Sequence, residues 1–496
     1  MPTPVRGTRI LPPALLRAAV GHRPDRRVPG PPPRTGPAFL QRSTGTARVR
    51  PSASGESCMP VRLPSPSRTL LLIAALLSTP AALARQADSV YVRAGRMLDV
   101  ESGRLLEDHA LLAEGGRIVR VEPAAELPPP AGATVHDLSA YTVLPGLMDA
   151  HTHLVGDAGK HGYASLGDSL ATATLHGAAN ARTTLRAGFT TVRDLGSPGY
   201  ADVALRDAIA EGVVEGPRII AAGPGIGITG GHCGDDNLLP YDRRSQGEGV
   251  ADGPWEVRRQ VRRNVKYGVD LVKTCSTGGV LSRGTKVGAP QYTLEELRAL
   301  VEEAHSHGRK VASHAHGASG IRNALLAGVD SVEHASFIDD EGIALAKKNG
   351  AVLVMDIYNT EFILGEGEKA GILPESLEKE RRTGGIQREN FRRAHQAGVT
   401  IAFGTDAGVY PHGQNARQFS RMVRFGMTPL QAIRAATLNT ARLFGIEDQA
   451  GALKPGMYAD LVAVEGDPLQ DVSVLEDVRF VMKEGRVHLA PGEHGR

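Results

Sequence analysis

The sequence predicts an α/β protein, a (β/α)8 TIM barrel carrying a small β-sandwich built from the two ends of its globular part. Three observations predict it. An apolar strand runs straight into His151-Thr-His153. Seven repeats of helix, glycine and short apolar strand follow. Segments of a different, turn-rich β character flank them. Alternating strand and helix implies a parallel sheet, and eight such units close into a barrel; an open doubly wound sheet is the competing arrangement.

The ends of the chain set the outer limits. It has 496 residues, 41% hydrophobic and 22% charged, enough for a large core. Residues 1–58 hold ten Arg, no Lys, and only Asp25 and Glu56 as acids, with the run Pro31-Pro-Pro. Such a segment cannot bury enough surface to offset its ordering entropy, so it reads as disordered or as a product of too early a start codon. Residues 59–84 show the three parts of a signal peptide: Arg62 and Arg68, the apolar run Thr69–Leu77, and the small residues of Ala82-Leu-Ala84. The run is too short for a permanent membrane span. Export to the periplasm or beyond, with cleavage near Ala84, is the expectation. Removing residues 1–84 leaves 45 basic and 52 acidic residues, a net charge near −7. No basic stripe remains to neutralise phosphates, which argues against a nucleic-acid partner. Two of the three cysteines, Cys233 and Cys275, stay in the mature chain. They are no disulfide framework, although an oxidising compartment permits one bond.

Residues 141–449 form the expected barrel. After the strand carrying His151 come strands at 190–194, 218–222, 270–274, 310–314, 331–334, 352–355 and 400–404, each preceded by a helical stretch and a glycine. The glycines sit where helices end in a left-handed residue. Thr293-Leu-Glu-Glu296 is a capping box that opens the helix after the fourth strand. Residues 88–140 and 450–490 read as short strands and turns. Neither set stands alone as a sheet, so the two pair into the sandwich.

The chemistry gathers at strand ends, where barrel enzymes place it. His151 and His153, at i and i+2 on a strand, face the same way and can share a cation. His314, His334 and Asp406 close the fifth, sixth and eighth strands. Neutral imidazoles and a carboxylate suit Zn²⁺ or a similar borderline metal. Lys273 is a lysine at the inner end of an apolar strand, a costly position unless compensated. Beside two cations its pKa would fall, and the free amine could capture CO₂ as a carbamate, an anionic bridge. A salt bridge from Lys273 to Asp406 or Asp270 is the plainer alternative.

Together Leu144-Pro-Gly-Leu-Met-Asp-Ala-His-Thr-His153, the Lys273 strand, Ser313-His-Ala-His-Gly317, Val332-Glu-His334, Gly404-Thr-Asp406 and the tail Gly451–Val462 resemble the amidohydrolase superfamily. Within it the chain is most similar to the Xaa-Pro dipeptidase and imidazolonepropionase-like group, which includes ochratoxin-hydrolysing amidases. The resemblance implies two divalent metal ions: His151, His153 and Asp406 on one, His314 and His334 on the other, and carboxylated Lys273 between them. It further implies a water activated between the metals as nucleophile, with Asp406 accepting its proton and passing it to the leaving amine.

Substrate contacts are read from the loops. His232, in Thr229-Gly-Gly-His-Cys233 after the third strand, is placed to hydrogen-bond a substrate carbonyl or carboxylate, or else packs the loop. His316 faces the same way as His314 and is assigned to substrate binding or transition-state stabilisation. Tyr292 and Arg283 are weaker candidates for a substrate carboxylate. Asp194 either orients a ligand or is structural, and His161, His176, His395 and His412 read as surface residues. The function expected is an exported binuclear metallo-amidase acting on the C-terminal amide of dipeptides or N-acyl amino acids, with ochratoxin A as a further substrate. A cyclic-amide hydrolase of the imidazolonepropionase kind is the second expectation, and a metal-binding barrel without turnover the third. Homo-oligomer formation stays open.

Overall fold

The computed structural model describes residues 89–234, 237–243 and 247–493. The expected N-terminal extension, 1–58, and signal peptide, 59–84, lie outside these residues.

The described residues open with four strands, β1 (Ser89–Asp99), β2 (Arg104–Glu114), β3 (Arg117–Pro123) and β4 (Thr134–Pro145). Eight short strands follow: β5 (Leu147–Thr152), β6 (Phe189–Asp194), β7 (Arg218–Ala221), β8 (Leu271–Cys275), β9 (Lys310–Ala315), β10 (Ser331–His334), β11 (Val352–Val354) and β12 (Ile401–Ala402). The last three are β13 (Leu461–Val464), β14 (Val478–Lys483) and β15 (Arg486–Leu489).

β5–β7 and β8–β12 form two parallel sheets. Backbone hydrogen bonds join them at both seams. On one side Ile226 N donates to Lys273 O (2.8 Å) and Cys275 N to Ile226 O (3.1 Å). On the other, Ala150 N donates to Phe403 O (2.8 Å), Asp406 N to His151 O (2.7 Å) and His153 N to Ala407 O (2.7 Å). The eight strands therefore make the predicted barrel rather than an open sheet. Its strands are almost wholly buried, as strands covered by helices on one side and packed against each other on the other must be. Phe403 stacks between Phe189 (centroids 5.6 Å apart) and Phe419 (4.3 Å), and each such ring contributes about 1.5–3 kcal/mol by burial.

Helix ends follow the sequence signals. The Thr293 hydroxyl accepts from Glu296 N while the Glu296 side chain accepts from Thr293 N, which is the expected capping box. Gly328 (φ 94°) and Gly350 (φ 70°) end their helices in the left-handed region, as glycine does at little cost.

The flanking segments form one seven-stranded sheet, in the order β15-β14-β13-β4-β1-β2-β3. It curls over on itself: Ile118 N in β3 donates to Met457 O (2.8 Å), and Gly456 N donates back to Ile118 O (2.8 Å). The expected sandwich is built from this one continuous sheet, folded back on itself. β4 also runs further than the sequence suggested. Residues 142–145, read as the start of the barrel strand, pair with β13 instead, and Pro145-Gly146 marks the break before β5. Gly146 is required there, because a Cβ would stand 2.2 Å from Thr190 Oγ1.

Candidate metal centre and cavity

All six expected ligand residues reach one cavity of about 750 Å³ at the C-terminal mouth of the barrel. β5 delivers His151 and, one residue past its end, His153. β8 delivers Lys273, β9 His314 and β10 His334. Asp406 does not end its strand as expected: it lies four residues beyond β12, in a loop. Both His334 (φ 66°) and Asp406 (φ 58°) have left-handed backbones, a conformation costly for a side-chain-bearing residue and typical of functional positions.

The donor atoms converge. His151 Nε2 and His153 Nε2 each lie 3.3 Å from Asp406 Oδ1. The ligating atoms of His151, His334 and Asp406 all fall within 4.8 Å of one another, as do those of His314, His316 and His334. Burial, reinforced by neighbouring cationic groups, holds His151 and His314 well below the ordinary imidazole value, so they present neutral nitrogen lone pairs. His153 and His334 titrate above it, because Asp406 and Asp356 outweigh the burial that opposes them. Clustered neutral imidazoles beside a carboxylate fit divalent metal ions of borderline softness.

Lys273 is buried among these groups, and among the described residues it makes no ion pair. Asp270, one of the two partners considered from sequence, pairs with Arg206 instead (2.8 Å). Burial pulls the Lys273 ammonium down to about 8, even though Glu333 and Asp406 favour its charge.

The supporting carboxylates were not singled out from the sequence. His334 Nδ1 lies 2.8 Å from Asp356 Oδ1. Asn359 Nδ2 bridges the carboxylates, donating to Asp356 Oδ2 (2.6 Å) and Asp406 Oδ2 (3.1 Å). His151 Nδ1 stands 3.1 Å from Glu333 Oε2, a close polar contact without hydrogen-bond alignment, and the other Glu333 oxygen accepts from Arg193 Nη2 (2.9 Å). Such partners fix ring orientation and raise ligand basicity. A signal existed for two of them. Arg193 and Glu333 interrupt apolar strands as Lys273 does, and a buried charge of one sign calls for another nearby.

His232 and His316 also line the cavity. The His232 ring packs 4.1 Å from that of His314, over Gly279, where a Cβ would come within 2.4 Å of it. Burial pushes the His232 imidazole down to about 3, and its buried Nδ1 has no hydrogen-bond partner among the described residues. His316 Nδ1 lies 2.7 Å from Ser336 Oγ, and its ring stacks on His334 at 4.7 Å. Cys233 and Cys275 are joined in a disulfide, which ties the His232 loop to β8 and occupies the Cys275 sulfur.

Other candidates belong elsewhere. Tyr292 is buried and donates its hydroxyl to Ala251 O (2.7 Å), so it is a loop anchor. Arg283 pairs with the Tyr163 hydroxyl outside the cavity. Asp194 accepts from Leu154 N (2.6 Å), holding the turn after His153. His412, read as a surface residue, is buried between Thr184 Oγ1 (3.0 Å) and His153 O (3.2 Å). Its neighbours come from distant segments, so local sequence gave no sign of it.

A (β/α)8 barrel whose mouth gathers histidines, a lysine and an aspartate has the make-up of a metal-assisted hydrolase. The chain belongs to the amidohydrolase family, whose profile matches residues 142–488. It is 35% identical over 415 residues to the ochratoxinase of Aspergillus niger, covering 79% of this chain and 85% of that enzyme. Among solved structures it is similar to a Xaa-Pro dipeptidase with methionine bound in its active site (39% identity, TM-score 0.77, 81% of this chain and 99% of that one). It is also similar to a prolidase complexed with N-methylphosphonate-L-proline (30% identity, TM-score 0.74, 80% and 99%). The protein is a hydrolase acting on C–N bonds.

Proposed function

We propose that the protein is an exported metallo-amidase that cleaves the C-terminal amide or peptide bond of dipeptides or N-acyl amino acids. One observation carries this reading: six ligand-type side chains from five strand regions meet in a single cavity, with Lys273 among them in no ion pair with any described residue. His151, His153 and Asp406 would hold one divalent ion, most simply Zn²⁺, and His314 and His334 a second, with a CO₂-derived carbamate on Lys273 between them. When bound, the ions would supply Lewis acidity for the scissile carbonyl and acidify water. Asp406, held by Asn359, takes up the water proton and returns it to the departing amine nitrogen. His232, whose ring lines the cavity beside His314, binds the substrate carbonyl or carboxylate. His316 is fixed by Ser336 and lines the wall beside it. The apolar part of the cavity, formed by Leu170, Leu195, Val280, Leu281, Ile363 and Val409, suits a side chain and excludes water.

The leader at residues 59–84 supports export, and the Cys233–Cys275 disulfide accords with an oxidising compartment. The deciding assay takes the metal-loaded protein with N-acyl amino acids, Xaa-Pro, Xaa-Arg and Xaa-Phe dipeptides, and ochratoxin A. Hydrolysis of at least one class is expected. Two bound metals with no hydrolysis of any would sink the proposal.

A further inference from the structure

The helix Pro374–Gln396 turns one face to the cavity, placing Glu380, Thr383 and Gln387 in its wall. Gln387 is committed to the metal end, donating to Asp356 Oδ1 (3.0 Å) and His334 O (3.3 Å). Glu380 has no part in the chemistry described above. It is 95% buried, with one hydrogen bond, Thr360 Oγ1 to its Oε1 (2.5 Å), and no ion pair among the described residues.

The other cavity carboxylates are either engaged at the metal end or, like Glu248, exposed to solvent. Asp356 and Asp406 are engaged by His334, Asn359 and the β5 histidines, and Glu248 Oε2 accepts from Gly199 N (2.7 Å). Among the described residues lining the cavity, Lys273 is the one lysine or arginine, and it sits at the metal end. The cavity wall therefore offers a second carboxylate oxygen that, among the described residues, is in no ion pair. Burial is the main reason this carboxyl is pushed up to about 7, against the Thr360 hydrogen bond and the more distant charge of Arg388.

The helix is built around this group. A Cβ on Gly384 would stand 2.4 Å from Thr360 Oγ1 and 2.6 Å from Glu380 Oε1. Glycine weakens a helix interior, yet here only glycine leaves room for the Glu380–Thr360 pair.

We propose that Glu380 is a specificity residue whose carboxylate receives a protonated amine or guanidinium of the substrate. This rests on the reading of the cavity as an amide-substrate site. The cation is either the free N-terminus of a dipeptide or a basic side chain, because both offer the charge-assisted donors a buried carboxylate lacks.

The test compares matched pairs on the metal-loaded full chain. Ala-Arg against Ala-citrulline removes the side-chain charge at constant shape, and Ala-Phe against acetyl-Ala-Phe removes the N-terminal charge. For one pair, wild type is expected to favour the cationic member by about 10- to 100-fold, in kcat/KM and in equilibrium binding. Glu380→Gln, which keeps the acceptor for Thr360, is expected to bring that ratio within about threefold of unity. Which pair responds identifies the source of the cation. A wild-type ratio near unity for both pairs overturns the proposal, as does a ratio that survives in a folded Glu380→Gln variant. The binding measurement separates the two readings. If no peptide is hydrolysed, the amidase proposal fails, while a charge preference lost in Glu380→Gln still assigns the subsite.

Discussion

His334 and Asp356 act as one unit: the imidazole Nδ1 lies 2.8 Å from the carboxylate Oδ1, and both groups are buried. Burial opposes charge on Asp356, yet His334 more than offsets it and brings the carboxyl to about 2. The ring is thereby locked with its other nitrogen, Nε2, free for a ligand.

Asp356→Asn should therefore weaken metal binding by about 10- to 100-fold while leaving the protein folded. Competition against a chromophoric chelator measures the affinity, and circular dichroism the fold. An affinity within about twofold of wild type would show that the pair does not orient the ligand.

Lys273 gives the second prediction. The neutral amine is the form that reacts with CO₂, so carbamate in the metal-free protein should increase as pH rises through about 8. Isotopically labelled bicarbonate should yield a carbamate carbon resonance in wild type and none in Lys273→Ala. That variant should lose metal and activity, and added bicarbonate should restore neither. Near-normal activity in it would mean the lysine is no bridge.

The disulfide spans 42 residues and fastens the His232 loop to the Lys273 strand. Replacing both cysteines by serine should lower stability by about 2–4 kcal/mol in denaturant titration. It should also raise KM, because the loop that carries His232 loses its tether. An unchanged KM would confine the bond to a structural role.

Glu303 supplies a pH signature remote from the metal centre. Its carboxyl lies near Arg262 Nε (2.7 Å), Arg258 Nη1 (3.3 Å) and His307 Nε2 (3.2 Å). The Arg262 hydrogen bond is the largest cause that brings it to about 2, below its ordinary 4.5. Above 4.5 the carboxylate is ionised folded or unfolded, and its full contribution is present. As pH falls toward 2 the unfolded chain takes up the proton first, and the contribution is lost. Arg262 is 62% exposed, so solvent screening holds the effect to about 1 kcal/mol. Glu303→Gln should flatten this part of the acid-stability curve, and a curve parallel to wild type would count against the linkage.

Much of this was legible in the chain because periodicity and strand-end chemistry are local signals. His151, His153, Lys273, His314 and His334 announce themselves by interrupting apolar strands near their ends. Asp356 does not, since it follows the seventh strand as an ordinary loop acid and acquires meaning only when the His334 ring lies beside it. Glu380 is hidden for the same reason: its partner Thr360 and the space at Gly384 come together only when two helices pack. Tyr292 was misread because a loop tyrosine looks the same whether its hydroxyl meets solvent or the Ala251 carbonyl. Contacts between distant segments leave little trace in composition.

The curled sheet at the chain's ends also bears on how the protein is made. β4 pairs with β1 early in the sequence, but its other edge waits for β13, which lies beyond the whole barrel. During synthesis that edge stays open while eight further strands emerge. Long-range pairings of this kind close slowly, and an open edge invites other strands in the interval. A chain cut before Leu461 would never close it. Completion of the last strands is thus the step that seals the fold.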